Sequence, residues 1–195
     1  MMNTMDMLRC FHEYRGNAIV IPGRAGRHWI QISQQPSRDV PLMDPAMGGH
    51  AAFAFGLALA QPDHKVVLLD SEGDLLMALG ILPTIAEHRP RNFYHFMLDN
   101  ECYATTGGQP VPNAKNVSYD GIARCAGYLR TFAYDDLDSF ARDVSQILTE
   151  PGPVFVALKI VPEIQNVGTG KRKSWMTRTR AQALDDLRQE LGIVN

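Results

Sequence analysis

The chain has 195 residues, 45% hydrophobic and 21% charged, enough for one globular domain with a sizeable core. Nineteen basic against 21 acidic side chains leave a net charge of -2, so no basic field recruits nucleic acid or an anionic membrane surface. Mean hydropathy is -0.17, and the chain has no uncharged apolar run long enough for a spanning helix.

The opening MMNTMDMLRCFHEYRG is too polar for an export signal. Cys10, Cys102 and Cys125 are odd in number, widely spaced and without a CxxC pair. They argue for a reducing compartment, read as the cytoplasm, and against a disulfide framework or a structural zinc site. Ala18 to Ile21 reads as a strand ended by Pro22-Gly23. Ala51 to Ala60 is a small-residue apolar helix, and Val66 to Leu69 a second strand, apolar on both faces. Leu75 to Arg89 reads as one helix stopped by Pro90. Phe93 to Leu98 is a third strand; Tyr119 to Gly127 a helix ending on its glycine; Leu129 to Ala133 a short strand. Asp135 to Glu150 is a helix with Asp135, Asp136 and Asp138 at its start, favourable against the N-terminal dipole. Val154 to Ile160 is another apolar strand, and an amphipathic helix from Arg178 to Leu191 follows the basic Lys171–Lys173 stretch.

Strands apolar throughout and separated by helices predict a doubly wound α/β fold: a mostly parallel sheet with helices on both faces. No repeat or long linker divides the chain, so residues 1–195 read as one domain, with a basic segment and helix from about 171. Ligands of such sheets collect at the carboxyl ends of the strands. Three segments belong there: Asp44-Pro45-Ala46-Met47-Gly48-Gly49-His50; Asp70-Ser71-Glu72-Gly73-Asp74; and Leu98-Asp99-Asn100-Glu101-Cys102-Tyr103, followed by Thr105-Thr106-Gly107-Gly108-Gln109. A carboxylate at a strand end followed by glycine and a helix start offers one hard oxygen and free N–H groups for an anion. An Asn amide oxygen at the next strand end offers a second. Hard oxygens beside phosphate oxygens suit Mg²⁺.

The run LLDSEGDLLMALGILPTIAEHRPRNFYHFMLDNECYATTGGQP resembles the thiamine diphosphate signature, usually Gly-Asp-Gly, an interval in the mid-twenties, then Asn-Asn. Between Gly73 and Asn100 stand 26 residues. The preceding MGGHAAFAFGLALAQPDHKVVLLD resembles the helix and strand that lead into the signature. Over roughly Gly16 to Ile160 the chain is similar to the diphosphate-binding subunits of two-subunit sulfopyruvate and phosphonopyruvate decarboxylases. The resemblance implies Glu72, Asn100 and the Cys102 carbonyl as magnesium ligands. It implies that the N–H groups of Gly73 and Asp74 meet the diphosphate and that Met47 wedges under the bent cofactor. Backbone around Pro45, Met47 and Gly48 would face the aminopyrimidine ring, with Asn100 and Tyr103 also at the cofactor.

The resemblance implies decarboxylation of a small anionic 2-keto acid, phosphono- or sulfo-substituted pyruvate. Carboligation, as in acetolactate synthases, stays open. The activating Glu belongs to a pyrimidine-binding domain with no room in this chain. A separate partner subunit is therefore expected, in an α₂β₂ or larger assembly. Two positions depart from the pattern: Glu72 replaces the metal-binding Asp, and Asp74 stands where a small polar residue is common. They motivate the alternative of a non-catalytic scaffold with a decayed metal site. A flavodoxin-like or nucleotide-binding domain is a third reading, without GxGxxG or P-loop support.

Blander readings stand beside these. Glu72 alone is a helix N-terminal carboxylate, Met47 alone a core filler. Cys102 has no basic neighbour to activate a thiol. His50 is a candidate catalytic group or a polar helix start, and Gly107-Gly108 a turn or a phosphate loop. Arg24, Arg27 and His28 face an anionic substrate group or solvent, and Lys171–Arg180 solvent or a partner.

Overall fold

The computed structural model describes residues 1–42, 47–168, 171 and 174–193. In chain order the strands are β1 (Ile19–Pro22), β2 (Val66–Ser71), β3 (Phe93–Asp99), the two-residue pair β4 (Cys102–Tyr103) and β5 (Gln109–Pro110), β6 (Arg130–Tyr134) and β7 (Val154–Lys159). The helices are α1 (Thr4–Tyr14), α2 (His50–Ala60), α3 (Glu72–Met77), α4 (Ile81–His88), α5 (Tyr119–Ala126), α6 (Leu137–Ile147) and α7 (Arg180–Glu190).

Five strands form one sheet in the order β1-β2-β3-β7-β6, all parallel. The apolar runs fix that position: every residue of β3 is buried, and each fully buried Val, Leu or Phe contributes about 1.5–3 kcal/mol. Successive connections β1→β2, β2→β3 and β3→β6 run one way across the sheet. Right-handed crossovers put their helices on one face, where α2, α4 and α5 share a core with α7. The connection β6→β7 runs back, so α6 falls on the other face, packed with α1 and Trp29. The fold is thus doubly wound α/β. The outer edge of β1 is covered by residues 39–42, where Val40 N–H donates to Val20 O at 2.9 Å and Leu42 N–H to Pro22 O at 3.1 Å, leaving fewer open edge groups.

Three features differ from the sequence expectation. The stretch Leu75–Arg89 is not one helix: α3 closes at Ala78 and α4 begins after Gly80. Pro83 then sits in the first turn of α4, where its missing N–H costs no intrahelical bond. Helix α1 was not expected; Asn3 caps it, its side chain accepting from Met5 and Asp6 N–H, and Met7, Leu8 and Phe11 are buried. The β4–β5 ladder is too short for a periodic signal.

Candidate functional site

The carboxyl ends of β2 and β3 lie side by side, with Ser71 in register with Leu98. From β2 the chain turns directly into α3, capped by Ser71 Oγ, which accepts the Asp74 N–H at 3.2 Å. That capping makes Glu72 the first helical residue and points it inward, 0% exposed. One carboxylate oxygen, Oε1, accepts from Cys102 N–H at 3.1 Å. The other, Oε2, is buried with no partner. Asn100, just past β3, turns its Oδ1 to the same Cys102 N–H at 3.0 Å. This geometry depends on Glu101 adopting φ +63°, an uncommon left-handed conformation for a residue other than glycine. The acid and the amide therefore meet over a single N–H. Burial first, and then the charge of Asp99, pushes the Glu72 carboxyl up to about 8 against the pull of neighbouring backbone N–H groups. A buried carboxylate with an orphaned oxygen costs free energy unless something pairs it, and a second hard oxygen beside it suits a divalent cation.

In front of this pair is a cleft lined by Ser71, Gly73, Asn100 and Tyr103, flanked by Arg24 and Arg27. Gly73 cannot be larger without movement: a Cβ there would stand 3.0 Å from the Tyr103 ring. Met47 and Met77 reach the cleft yet are 58% and 55% exposed. As bounded by the described residues the cavity is about 70 Å³, far less than the roughly 300 Å³ or more of a pocket that encloses a drug-sized ligand.

Residues 26–158 match the family model described as thiamine pyrophosphate enzyme, C-terminal TPP binding domain. The chain belongs to this family. Among curated relatives it is 37% identical over 117 residues to phosphonopyruvate decarboxylase of Streptomyces viridochromogenes, covering 60% of this chain and 29% of that one. It is 38% identical over 128 residues to sulfopyruvate decarboxylase subunit beta of Methanothermobacter thermautotrophicus, covering 64% and 65%. The solved benzoylformate decarboxylase of Polynucleobacter necessarius superposes with a TM-score of 0.69 at 16% identity, over 83% of this chain and 33% of that one, a likeness of fold. The match thus spans under a third of the phosphonopyruvate decarboxylase and about two thirds of the beta subunit.

Within this TPP-binding domain, Glu72, Gly73, Asn100, Cys102 and Tyr103 come together. Pro45 lies outside the described residues. Asp74 borders the cleft with both carboxylate oxygens engaged: its Oδ1 accepts from Gly48 N–H at 2.7 Å and its Oδ2 contacts His50 Nδ1. Its own N–H is already engaged by Ser71. His50 is 2% exposed and sits behind Asp74. Burial alone would lower its pKa, but the bond to Asp74 and the charges of Asp70 and Asp74 outweigh that and raise it. Asp70 Oδ2 meets His95 Nε2 at 2.9 Å, and His95 Nδ1 lies 3.5 Å from Tyr128 OH. Arg27 and His28 both hold Glu163, beyond β7, His28 Nε2 at 2.7 Å. Sequence reasoning missed His95, Tyr128, Glu163 and Met77, whose partners are 25 or more residues away or reached only through the fold. It also missed Tyr119, whose hydroxyl is buried without a partner and whose pKa is held up by burial and by the charges of Asp99 and Glu72. No helix among the described residues is long and apolar enough to cross a membrane.

Proposed function

We propose that this chain is the diphosphate- and magnesium-binding subunit of a two-subunit thiamine diphosphate-dependent decarboxylase. Its substrate would be a small anionic 2-keto acid of the sulfopyruvate or phosphonopyruvate type. The observation that carries the reading is the orphaned, buried Glu72 Oε2 beside Asn100 Oδ1, both over Cys102 N–H. A site decayed into a scaffold has no reason to keep a buried carboxylate unpaired, because replacing it by an apolar group would stabilise the fold.

Glu72, Asn100 and the Cys102 backbone would hold Mg²⁺, which neutralises diphosphate charge. Thiamine diphosphate, when bound, supplies the electron sink for decarboxylation. The chain's own residues bind and orient it. Gly73 opens room for the diphosphate beside the Tyr103 ring. Arg24 adds positive charge at the cleft, where the neighbouring Arg27 guanidinium is paired with Glu163. Met47, exposed at the cleft, is available to support the thiamine portion. The exposed Met47 and Met77 at the cleft support a site completed by a pyrimidine-binding partner subunit carrying the activating Glu, in an α₂β₂ or larger assembly. Three unpaired cysteines fit a reducing, cytoplasmic setting.

The test mixes the purified chain with its candidate partner, Mg²⁺ and thiamine diphosphate, and follows consumption of sulfopyruvate and phosphonopyruvate. Turnover by the mixture and none by either chain alone is expected; full turnover by this chain alone refutes the two-subunit reading. Mass spectrometry of the product separates an aldehyde from a carboligated acyloin.

A further inference from the structure

We propose that Asp74 and His50 are a positioning pair that fixes the Met47–Gly48 turn against the first turn of α3, and so sets the span between the two places that grip the cofactor. The inference rests on the thiamine diphosphate reading and gives the Asp74 and His50 side chains a positioning part which that reading does not assign them.

The connection is built from two committed oxygens. Asp74 Oδ1 accepts from Gly48 N–H at 2.7 Å, across 26 residues of sequence, and Oδ2 accepts a hydrogen bond from His50 Nδ1. One carboxylate on α3 therefore holds both the turn before α2 and the first residue of α2. Asp74 is 8% exposed and His50 2%, so water does not compete strongly for these bonds. Behind them, Asp70 lies 3.8 Å from His50 Nδ1. It is itself fixed by Ser71 N–H at 2.9 Å and His95 Nε2 at 2.9 Å, and Tyr128 OH stands 3.5 Å from His95 Nδ1. The His50 ring is backed by Gly23, where a Cβ would come within 3.5 Å of Nδ1.

His50, Asp70 and Asp74 also bring three ligand atoms within 4.8 Å. However, all four carboxylate oxygens already have protein donors, which makes the cluster a hydrogen-bonded brace rather than a metal centre. Asp74 borders the cleft, but both of its carboxylate oxygens are engaged by Gly48 N–H and His50, which offsets the charge it would otherwise present to a diphosphate. Met47, on the turn, and Gly73, beside Asp74, both line the cleft, so this side chain ties together the two segments that carry them. Loss of a buried partner that orients a binding group costs on the order of 10–100-fold in affinity.

The experiment compares His50→Leu with His50→Asn in the full chain assembled with its partner. Leu fills space without a donor; Asn places an amide N–H where Nδ1 was. Thiamine diphosphate affinity with Mg²⁺ present is read by calorimetry. Hydrogen exchange of the Gly48 amide, relative to the Ala54 amide inside α2, is read in the apo chain. His50→Leu is expected to weaken cofactor binding on the order of 10–100-fold and to speed Gly48 exchange while Ala54 stays protected. His50→Asn is expected to restore both, and His50→Leu with Asp74→Ala to be no weaker than the single variants. Equal effects of Leu and Asn overturn the pair, as does wild-type affinity in His50→Leu. Should His50→Leu not fold, His50→Gln, whose amide falls away from the Nδ1 position, takes its place under the same expectations. A wild-type complex that does not bind thiamine diphosphate overturns the cofactor reading together with this one. Binding by wild type and by every variant alike overturns only the pair.

Discussion

Replacing Glu72 by Gln separates what the buried acid does for folding from what it does for binding. The side chain is fully buried, and its carboxyl is pushed from 4.5 to about 8, by burial first and by Asp99 second. A carboxyl whose pKa is higher folded than unfolded binds more protons in the folded state. Its contribution is therefore intact below pH 4.5 and is lost as pH rises from 4.5 towards 8. At pH 7 the loss is about 3 kcal/mol for the metal-free chain. Gln keeps the acceptor for Cys102 N–H and carries no charge, so Glu72→Gln is expected to regain up to that amount. For a chain of this size this raises Tm by about 6–12 °C. The gain should vanish below pH 5. Cofactor acts in the opposite direction: at one hundred times Kd, Mg²⁺-thiamine diphosphate adds about 2.7 kcal/mol to the wild type and nothing to the variant. Urea melts at pH 5, 7 and 8, with chelator or with Mg²⁺ and cofactor, measure both arms. Parallel pH profiles for the two proteins, or cofactor stabilisation that survives in Glu72→Gln, would refute the reasoning.

Gly73→Ala puts a Cβ 3.0 Å from the Tyr103 ring; we expect a loss of about 1–3 kcal/mol in urea titration and cofactor affinity reduced at least tenfold by calorimetry. Asn92 Nδ2 lies within hydrogen-bond distance of the carbonyls of Ala58, Gln61 and His64, closing the α2–β2 connection away from the cleft. Asn92→Ala should therefore cost about 1–3 kcal/mol of stability while the cofactor's Kd stays within twofold, and a large Kd change would contradict the spatial assignment of the site. Chelation of Mg²⁺ should release thiamine diphosphate from the assembled complex on dialysis; retention after chelation would show that the diphosphate is held without the metal.

The layers of the fold were legible because buried parallel strands write themselves as largely apolar runs: Val66–Leu69, Phe93–Leu98 and Val154–Leu158 are buried except for the half-buried Ala157, and the polar His95 among them is buried against Asp70. The break between α3 and α4 was not read, although Gly80 and Pro83 mark it, because apolar residues continue through Leu79, Ile81 and Leu82 with helical spacing. Helix α1 is harder to see in the sequence because its polar residues outnumber the short Met7–Leu8–Phe11 face, where Phe11 packs against Trp29 and Phe96. At the site, the spacing of Glu72 and Asn100 was legible from the order of strand and helix. The partner of Asp74 was not: a carboxylate that looks ill-placed beside a diphosphate is turned by His50, and that pairing exists only once α2 and α3 are side by side. The same holds for Glu163, which gathers Arg27 and His28 from the far end of the chain.

The most direct measurement is a crystal structure of the assembled complex grown with Mg²⁺ and thiamine diphosphate. A metal about 2.0–2.1 Å from both a Glu72 carboxylate oxygen and the Asn100 amide oxygen, with the diphosphate on its open side, is the expected result. A metal bound elsewhere, with Glu72 still turned only to the Cys102 N–H, would contradict it.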